Sequence, residues 1–229
     1  MNAQFEKDRI KAILFDIDGT LANTDDDYIK RLSMLLAPMQ FLFPGRNPLD
    51  IARSFVTRTE TPANAIKAWL DRLYIDEVIG AINDGVHFLS GKNANNQLSL
   101  MEGIRPMLKD LYGRYPLAIV TAREQRSSMA FLRHYDLLPF FKSIVTARTT
   151  FRSKPHPAPV YHAAQELQVP ITQCVMVGDT TVDMRAGSAA GAQTVGVLCG
   201  FGEREELLQA GADILLETTA EMTNLLGAA

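Results

Sequence analysis

Six side chains able to do chemistry stand beyond apolar, β-prone runs of this sequence. Asp16 and Asp18 follow AILF, Thr121 follows LAIV, Lys154 comes a few residues after SIVT, and Asp179 and Asp183 follow CVMV. A carboxylate can attack an electrophilic centre such as a phosphoryl group, and a second one two residues on can move protons. Clustered carboxylates attract a cation, a hydroxyl holds an anionic oxygen, and an ammonium neutralises developing charge. Each fragment alone reads as an N-cap or a turn former. Capping does not account for all of them together, each after a strand-like run.

The elements that must position these groups alternate along the chain. Strand patterns cover residues 12–15, 117–120, 143–146 (weaker), 174–177, 194–198 and 212–216 (short). Helical patterns cover residues 104–112, 124–135, 158–167, 182–190 and 204–210. Continuous apolar strands separated by helices predict an α/β fold, a Rossmann-like parallel sheet with helices on both faces. Such sheets bind ligands at the carboxyl ends of their strands, where the six residues fall.

One region breaks the alternation. Residues 22–99 show no convincing strand but four amphipathic helical patterns, at 25–38, 48–57, 62–74 and 76–89, followed by the polar stretch 91–97. The expected organisation is a catalytic core of residues 1–21 and 100–229, with a small all-helical domain of residues 22–99 inserted after the first strand. There are no internal repeats.

The composition, 47% hydrophobic and 21% charged over 229 residues, is that of a chain able to bury a core. A net charge of -3 without a basic stripe gives no footing for nucleic acid. No run of about 20 uncharged apolar residues is present to span a membrane, and the N-terminal stretch lacks signal-peptide features. The expected setting is cytoplasmic. Cys174 and Cys199, both in apolar company, read as buried free thiols. Nothing in the sequence specifies an oligomeric state.

The first-strand segment FDIDGTLANT, the threonine of VTAR, the lysine of SKPHPAP and the acidic pair of VGDTTVDMRAGSAAG resemble the haloacid dehalogenase superfamily. The resemblance is to its phosphatase branch, and KPHPAP and GDTTVDMRAGSAAG look most like the phosphoglycolate phosphatase-like group. It implies a phosphoric monoester hydrolase acting on a small phosphorylated metabolite, with phosphoglycolate the best single guess. It assigns Asp16 as nucleophile through an aspartyl phosphate, and Asp18 as acid and base. Thr121 and the Ala122 amide would hold a phosphoryl oxygen, and Lys154 would neutralise charge on nucleophile and phosphoryl group. Clustered carboxylates plus a phosphate demand a cation, and oxygen ligands suit Mg2+. By resemblance its ligands are Asp16, the backbone carbonyl of Asp18, Asp179 and Asp183, the last directly or through a water. The insert looks like the helical cap of this superfamily.

The threonine signature often continues with asparagine or glycine and here continues Ala122-Arg123, which keeps the backbone amide; Arg123 reaches substrate or sits on the surface, and the surface is the simpler place. Asp25, Asp26 and Asp27 fit a helix N-terminus better than a second metal site. His156 fits a turn between prolines better than an anion contact. His87, His134 and His162 have no evident partner. Phe55 and Trp69 fit packing within the insert, and Arg53 and Arg58 could grip an anionic substrate. A phosphosugar mutase stays open, as does a phosphonate hydrolase using Lys30. Asp18 argues against a dehalogenase, and the full set of six residues against a non-catalytic binding protein.

Overall fold

The strand AILF becomes β1 (Ala12–Phe15), the central strand of a six-stranded sheet in a computed structural model that describes residues 5–23 and 98–227. Every side chain of β1 is fully buried, because parallel neighbours flank it and helices cover the sheet. A strand covered on both faces needs an unbroken apolar run rather than alternation. Its neighbours β4 (Leu117–Val120) and β6 (Cys174–Gly178) are equally buried. The remaining strands are β5 (Phe141–Val145), β7 (Gln193–Val197) and β8 (Ile214–Leu216), in the order β5-β4-β1-β6-β7-β8, all parallel.

The intervening helices are α1 (Ile104–Tyr112), α2 (Gln125–His134), α3 (Ala158–Leu167), α4 (Thr181–Ala190) and α5 (Arg204–Gln209), with a short α6 (Met222–Leu225) near the C-terminus. Val160, Ala163, Ala164 and Leu167 of α3, with Ala186 and Ala190 of α4, pack on Ala12, Leu14, Ala118, Val120 and Met176 of the sheet. Small residues on both helices let them lie close to the sheet. α3 opens with Pro159 in its first turn, where a missing N–H costs nothing. α4 ends at Gly191 with φ 81, the left-handed C-cap that glycine takes freely.

The strand and helix expectations hold to within a residue except at three places, and α6 has no counterpart among them. β5 begins at Phe141 rather than residue 143, because a bulge against β4, between the pairs Leu117↔Phe141 and Ala118↔Ser143, interrupts its periodicity. β8 begins at Ile214 rather than residue 212, because the Asp213 carboxylate takes the Thr194 N–H at 2.8 Å where a ladder carbonyl would otherwise stand. The third correction concerns residues 22–99, where no strand was expected. β2 (Ala22–Asn23) pairs antiparallel with β3 (Ser99–Leu100), in the register Ala22↔Leu100 and Asn23↔Ser99. A two-residue ribbon has no periodicity to read, and its partner lies far along the chain.

The chain divides into two units, Met1–Asn23 with Ser99–Ala229, and Thr24–Leu98. The four insert helices, the acidic run at Asp25, and Lys30, Arg53, Phe55, Arg58, Trp69 and His87 lie outside the described residues. Among the described residues no helix is long and apolar enough to cross a membrane. Both cysteines are free, Cys174 buried and Cys199, against expectation, only half-buried beside the Thr219 hydroxyl.

Candidate active site

Strand register places the reactive residues. Phe15 of β1 is level with Ile119 of β4 and Val177 of β6. One step outward come Asp16, Val120 and Gly178, and one further Ile17, Thr121 and Asp179. The chain passes from β1 to β4 and β5 on one side, then returns to β6, β7 and β8 on the other. The crevice at such a reversal is where open α/β sheets bind ligands.

Asp16 is pinned by its N–H, which donates to the Val177 carbonyl at 3.0 Å. Lys154 Nζ lies 2.9 Å from Asp16 Oδ1 and 2.5 Å from Asp183 Oδ1, and donates to the Val120 carbonyl at 2.8 Å. Apart from this contact with Lys154, the buried Asp16 Oδ1 has no partner among the described residues. Burial pushes the Asp16 carboxyl up to about 7; the Lys154 ammonium opposes this, and Asp183 and Asp18 add to it. Burial works against the Lys154 ammonium, yet the carboxylates of Asp16 and Asp183 hold its pKa above the ordinary lysine value. Asp179, fully buried, is pushed well above the carboxylate range by burial and then by Asp183 and Asp16.

Asp183 has a divided role. Its Oδ1 faces Lys154, while its Oδ2 accepts the Thr180 hydroxyl at 2.6 Å and the Thr180 N–H at 3.2 Å. Thr180 returns a bond from the Asp183 N–H, closing a capping box at the start of α4. Helix capping and site construction are thus one interaction.

Asp18 stands apart from this cluster. Arg123 grips both its oxygens, Nε donating to Oδ2 at 3.0 Å and Nη2 to Oδ1. Arg123 is therefore not the surface residue the simpler reading expected. Burial opposes its charge, but Asp18 outweighs this and raises its pKa. Thr121 uses its N–H on the Val145 carbonyl at 2.9 Å, and its Oγ1 accepts the Arg123 N–H at 3.1 Å. Ala122 is exposed, and its N–H meets no acceptor among the described residues. His156 is the turn residue expected, its Nδ1 accepting the Ala158 N–H at 3.1 Å as α3 begins. His162 pairs with Glu166 at 3.3 Å, and His134 lies edge-on to Tyr135.

The residues suit a cation. Oxygens of Asp16, Asp179 and Asp183 all lie within 4.8 Å of one another. Against the four carboxylates of the edge stand two cations, Lys154 and Arg123, leaving two negative charges in excess when all are ionised. That excess and an all-oxygen donor set within so short a span match one hard divalent ion.

Sequence reasoning missed the groups that shape Asp179. Its Oδ2 accepts the Phe201 N–H at 2.9 Å, and its Oδ1 the buried Thr20 hydroxyl at 3.3 Å. Gly19, at φ 72, and Gly200 close around it: a Cβ on either would stand 2.1 or 2.2 Å from Asp179 Oδ2. The available signal was the glycine of CGFG beyond β7, at the same sheet edge as the acids.

Residues 13–197 match the family described as haloacid dehalogenase-like hydrolase. The pyrophosphatase PpaX of Anoxybacillus flavithermus is 29% identical over 95% of this chain and 97% of its own length. The phosphoglycolate phosphatase of Haemophilus influenzae is 26% identical over 99% of this chain and its full length. A HAD family hydrolase from Deinococcus radiodurans R1, solved with bound phosphate and sodium, shares the fold at a TM-score of 0.71 and 23% identity, covering 95% of each chain.

Proposed function

Because this chain belongs to the haloacid dehalogenase-like hydrolase family, we propose that it is a Mg2+-dependent phosphatase that hydrolyses a small phosphorylated metabolite through an aspartyl phosphate on Asp16. The observation that carries this reading is the Asp16 carboxylate. It is buried in an ion pair with the Lys154 ammonium and stands where the parallel sheet opens. The activities named for the PpaX and phosphoglycolate phosphatase relatives support phosphoryl chemistry.

In the first step an Asp16 oxygen attacks phosphorus and the bond to the leaving oxygen breaks. Asp18 gives that oxygen a proton. In the second step water attacks the phosphoryl group, Asp18 takes the proton, and phosphate leaves Asp16. The Thr121 hydroxyl and the Ala122 N–H hold a phosphoryl oxygen. Lys154 keeps its charge throughout and offsets the negative charge on Asp16 and the phosphoryl group. Mg2+ would be held by the carboxylates of Asp16, Asp179 and Asp183 with the Asp18 carbonyl, and would polarise the phosphoryl oxygens. Phosphoglycolate and pyrophosphate are the first substrates to test, and we assign a part in substrate choice to the inserted residues 22–99 as a helical cap.

The deciding assay is phosphate release from these two compounds and an aryl phosphate, with Mg2+ and with chelator, for wild type and Asp16→Asn. We expect Mg2+-dependent turnover in wild type and at least a roughly 1,000-fold loss in the variant. Full turnover by Asp16→Asn would refute the nucleophile assignment.

A further inference from the structure

We propose that Arg123 is the receptor for a second anionic group on the substrate, and that its pairing with Asp18 is the resting state of that receptor. The proposal rests on the phosphatase reading and narrows it to one class: small phosphorylated acids or diphosphates, whose second anion stands a few atoms from the scissile phosphoryl group.

Position comes first. The side chains of Asp16, Asp183 and Lys154 are at most 9% exposed, so the reacting phosphoryl group meets a closed wall of protein there. The side chains of Arg123 and Asp18 are 22% and 33% exposed, and they form the more open margin of the same site. A substrate whose phosphoryl group sits on Asp16 carries its remaining atoms past this margin. Lys154 is already engaged by Asp16, Asp183 and the Val120 carbonyl and cannot serve those atoms.

Rigidity comes second. The Arg123 N–H donates to Thr121 Oγ1 at 3.1 Å, and the Arg123 carbonyl accepts the Ala147 N–H at 3.1 Å. Its backbone is fixed two residues from the threonine assigned to the phosphoryl oxygen. The guanidinium can therefore change partner by side-chain rotation alone.

The shape of the present partner comes third. Arg123 presents Nε and Nη2 to the two oxygens of one carboxylate, the fork that a substrate carboxylate or phosphate also matches. Asp18 occupies the place such a group would take. While both Asp18 oxygens are gripped, the side chain is not free to face a leaving oxygen. A substrate anion that takes over the fork releases Asp18 for its part in the reaction. Selection then acts on the rate of reaction as well as on binding.

The test compares phosphoglycolate with ethyl phosphate, which lacks the carboxylate, in wild type, Arg123→Gln and Arg123→Lys. Wild type should favour phosphoglycolate in kcat/KM by roughly 10- to 100-fold, the range of a charge-assisted hydrogen-bonded pair. Arg123→Gln should bring that ratio to within about threefold of unity, and Arg123→Lys, which keeps the charge without the fork, should retain part of it. A ratio unchanged in Arg123→Gln, or no preference in wild type, overturns the proposal. Calorimetric binding of 3-phosphonopropionate against propylphosphonate, with Mg2+ present, reads the same preference without turnover. If no phosphoester is hydrolysed, the phosphatase reading fails by itself, and this phosphonate pair still decides the role of Arg123.

Discussion

Lys154 and Asp183, 29 residues apart in the chain, meet in the interior with Nζ 2.5 Å from Oδ1. The contact joins the loop before α3 to the first turn of α4, and both to Asp16 just beyond β1. It makes one ammonium the counter-charge for two buried carboxylates.

Replacing Lys154 with Met leaves those carboxylates without that cation. Removing one member of a buried ion pair costs about 3 kcal/mol or more. We expect a loss of that order in urea-unfolding stability without metal, partly recovered with Mg2+, and a roughly 100-fold or greater fall in kcat. Unchanged stability in the absence of metal would contradict the arrangement.

Thr180→Ala removes a helix cap and the hydroxyl that orients Asp183. The cap contributes about 1 kcal/mol. Activity should fall as well, because Asp183 Oδ2 loses its 2.6 Å partner. Thr180→Ser should restore most of both. Urea denaturation and steady-state kinetics on the three proteins separate the effects.

Gly200→Ala drives a methyl to within 2.2 Å of Asp179 Oδ2 and must displace that carboxylate. Mg2+ affinity by titration calorimetry should drop at least about tenfold. Gly191→Ala is the control: it meets nothing within 4 Å but sits at φ 81. It should cost about 1 kcal/mol of stability and leave kcat alone. Equal effects of the two on Mg2+ binding would refute the proposed cradle.

The pH dependence follows from the raised carboxyls. The Asp16 pKa is lifted from 3.8 to about 7 by burial, with Lys154 opposing, and Asp179 is raised too. A folded-state pKa above the unfolded value means the metal-free fold binds the extra proton. Its stabilising effect is complete below pH 3.8 and is lost as pH rises to about 7. A cation favours the ionised form, so Mg2+ should raise the melting temperature more at pH 8 than at pH 5. Calorimetric scans at the two pH values check this, and equal shifts would count against Asp16 as a ligand.

Much of the fold was legible because its signals are local. AILF and LAIV end at the residues where β1 and β4 end, since strands buried on both faces must be apolar throughout. The acids beyond β1 and β6 could be picked out for the same reason: a polar residue directly after such a run marks the sheet edge. β2 and β3 were missed because two residues carry no period and each has meaning only beside the other. Arg123 was misread because its partner Asp18 lies 105 residues away and no local pattern encodes their pairing.

The amino-acid order thus determined the strands, most helices and the identity of Asp16, Asp18, Thr121, Lys154, Asp179 and Asp183, all through short-range pattern. Folding alone decided which of them touch. Asp18 and Arg123 are 105 residues apart, and Thr20 and Asp179 are 159 apart. Such contacts depend on the strand order β5-β4-β1-β6-β7-β8 and on register. No local pattern encodes these, because they arise only when distant strands bury their faces together. The Asp16–Asp18 pair in the sequence becomes two different environments at one sheet edge: one carboxylate buried against Lys154, the other held at the margin by Arg123.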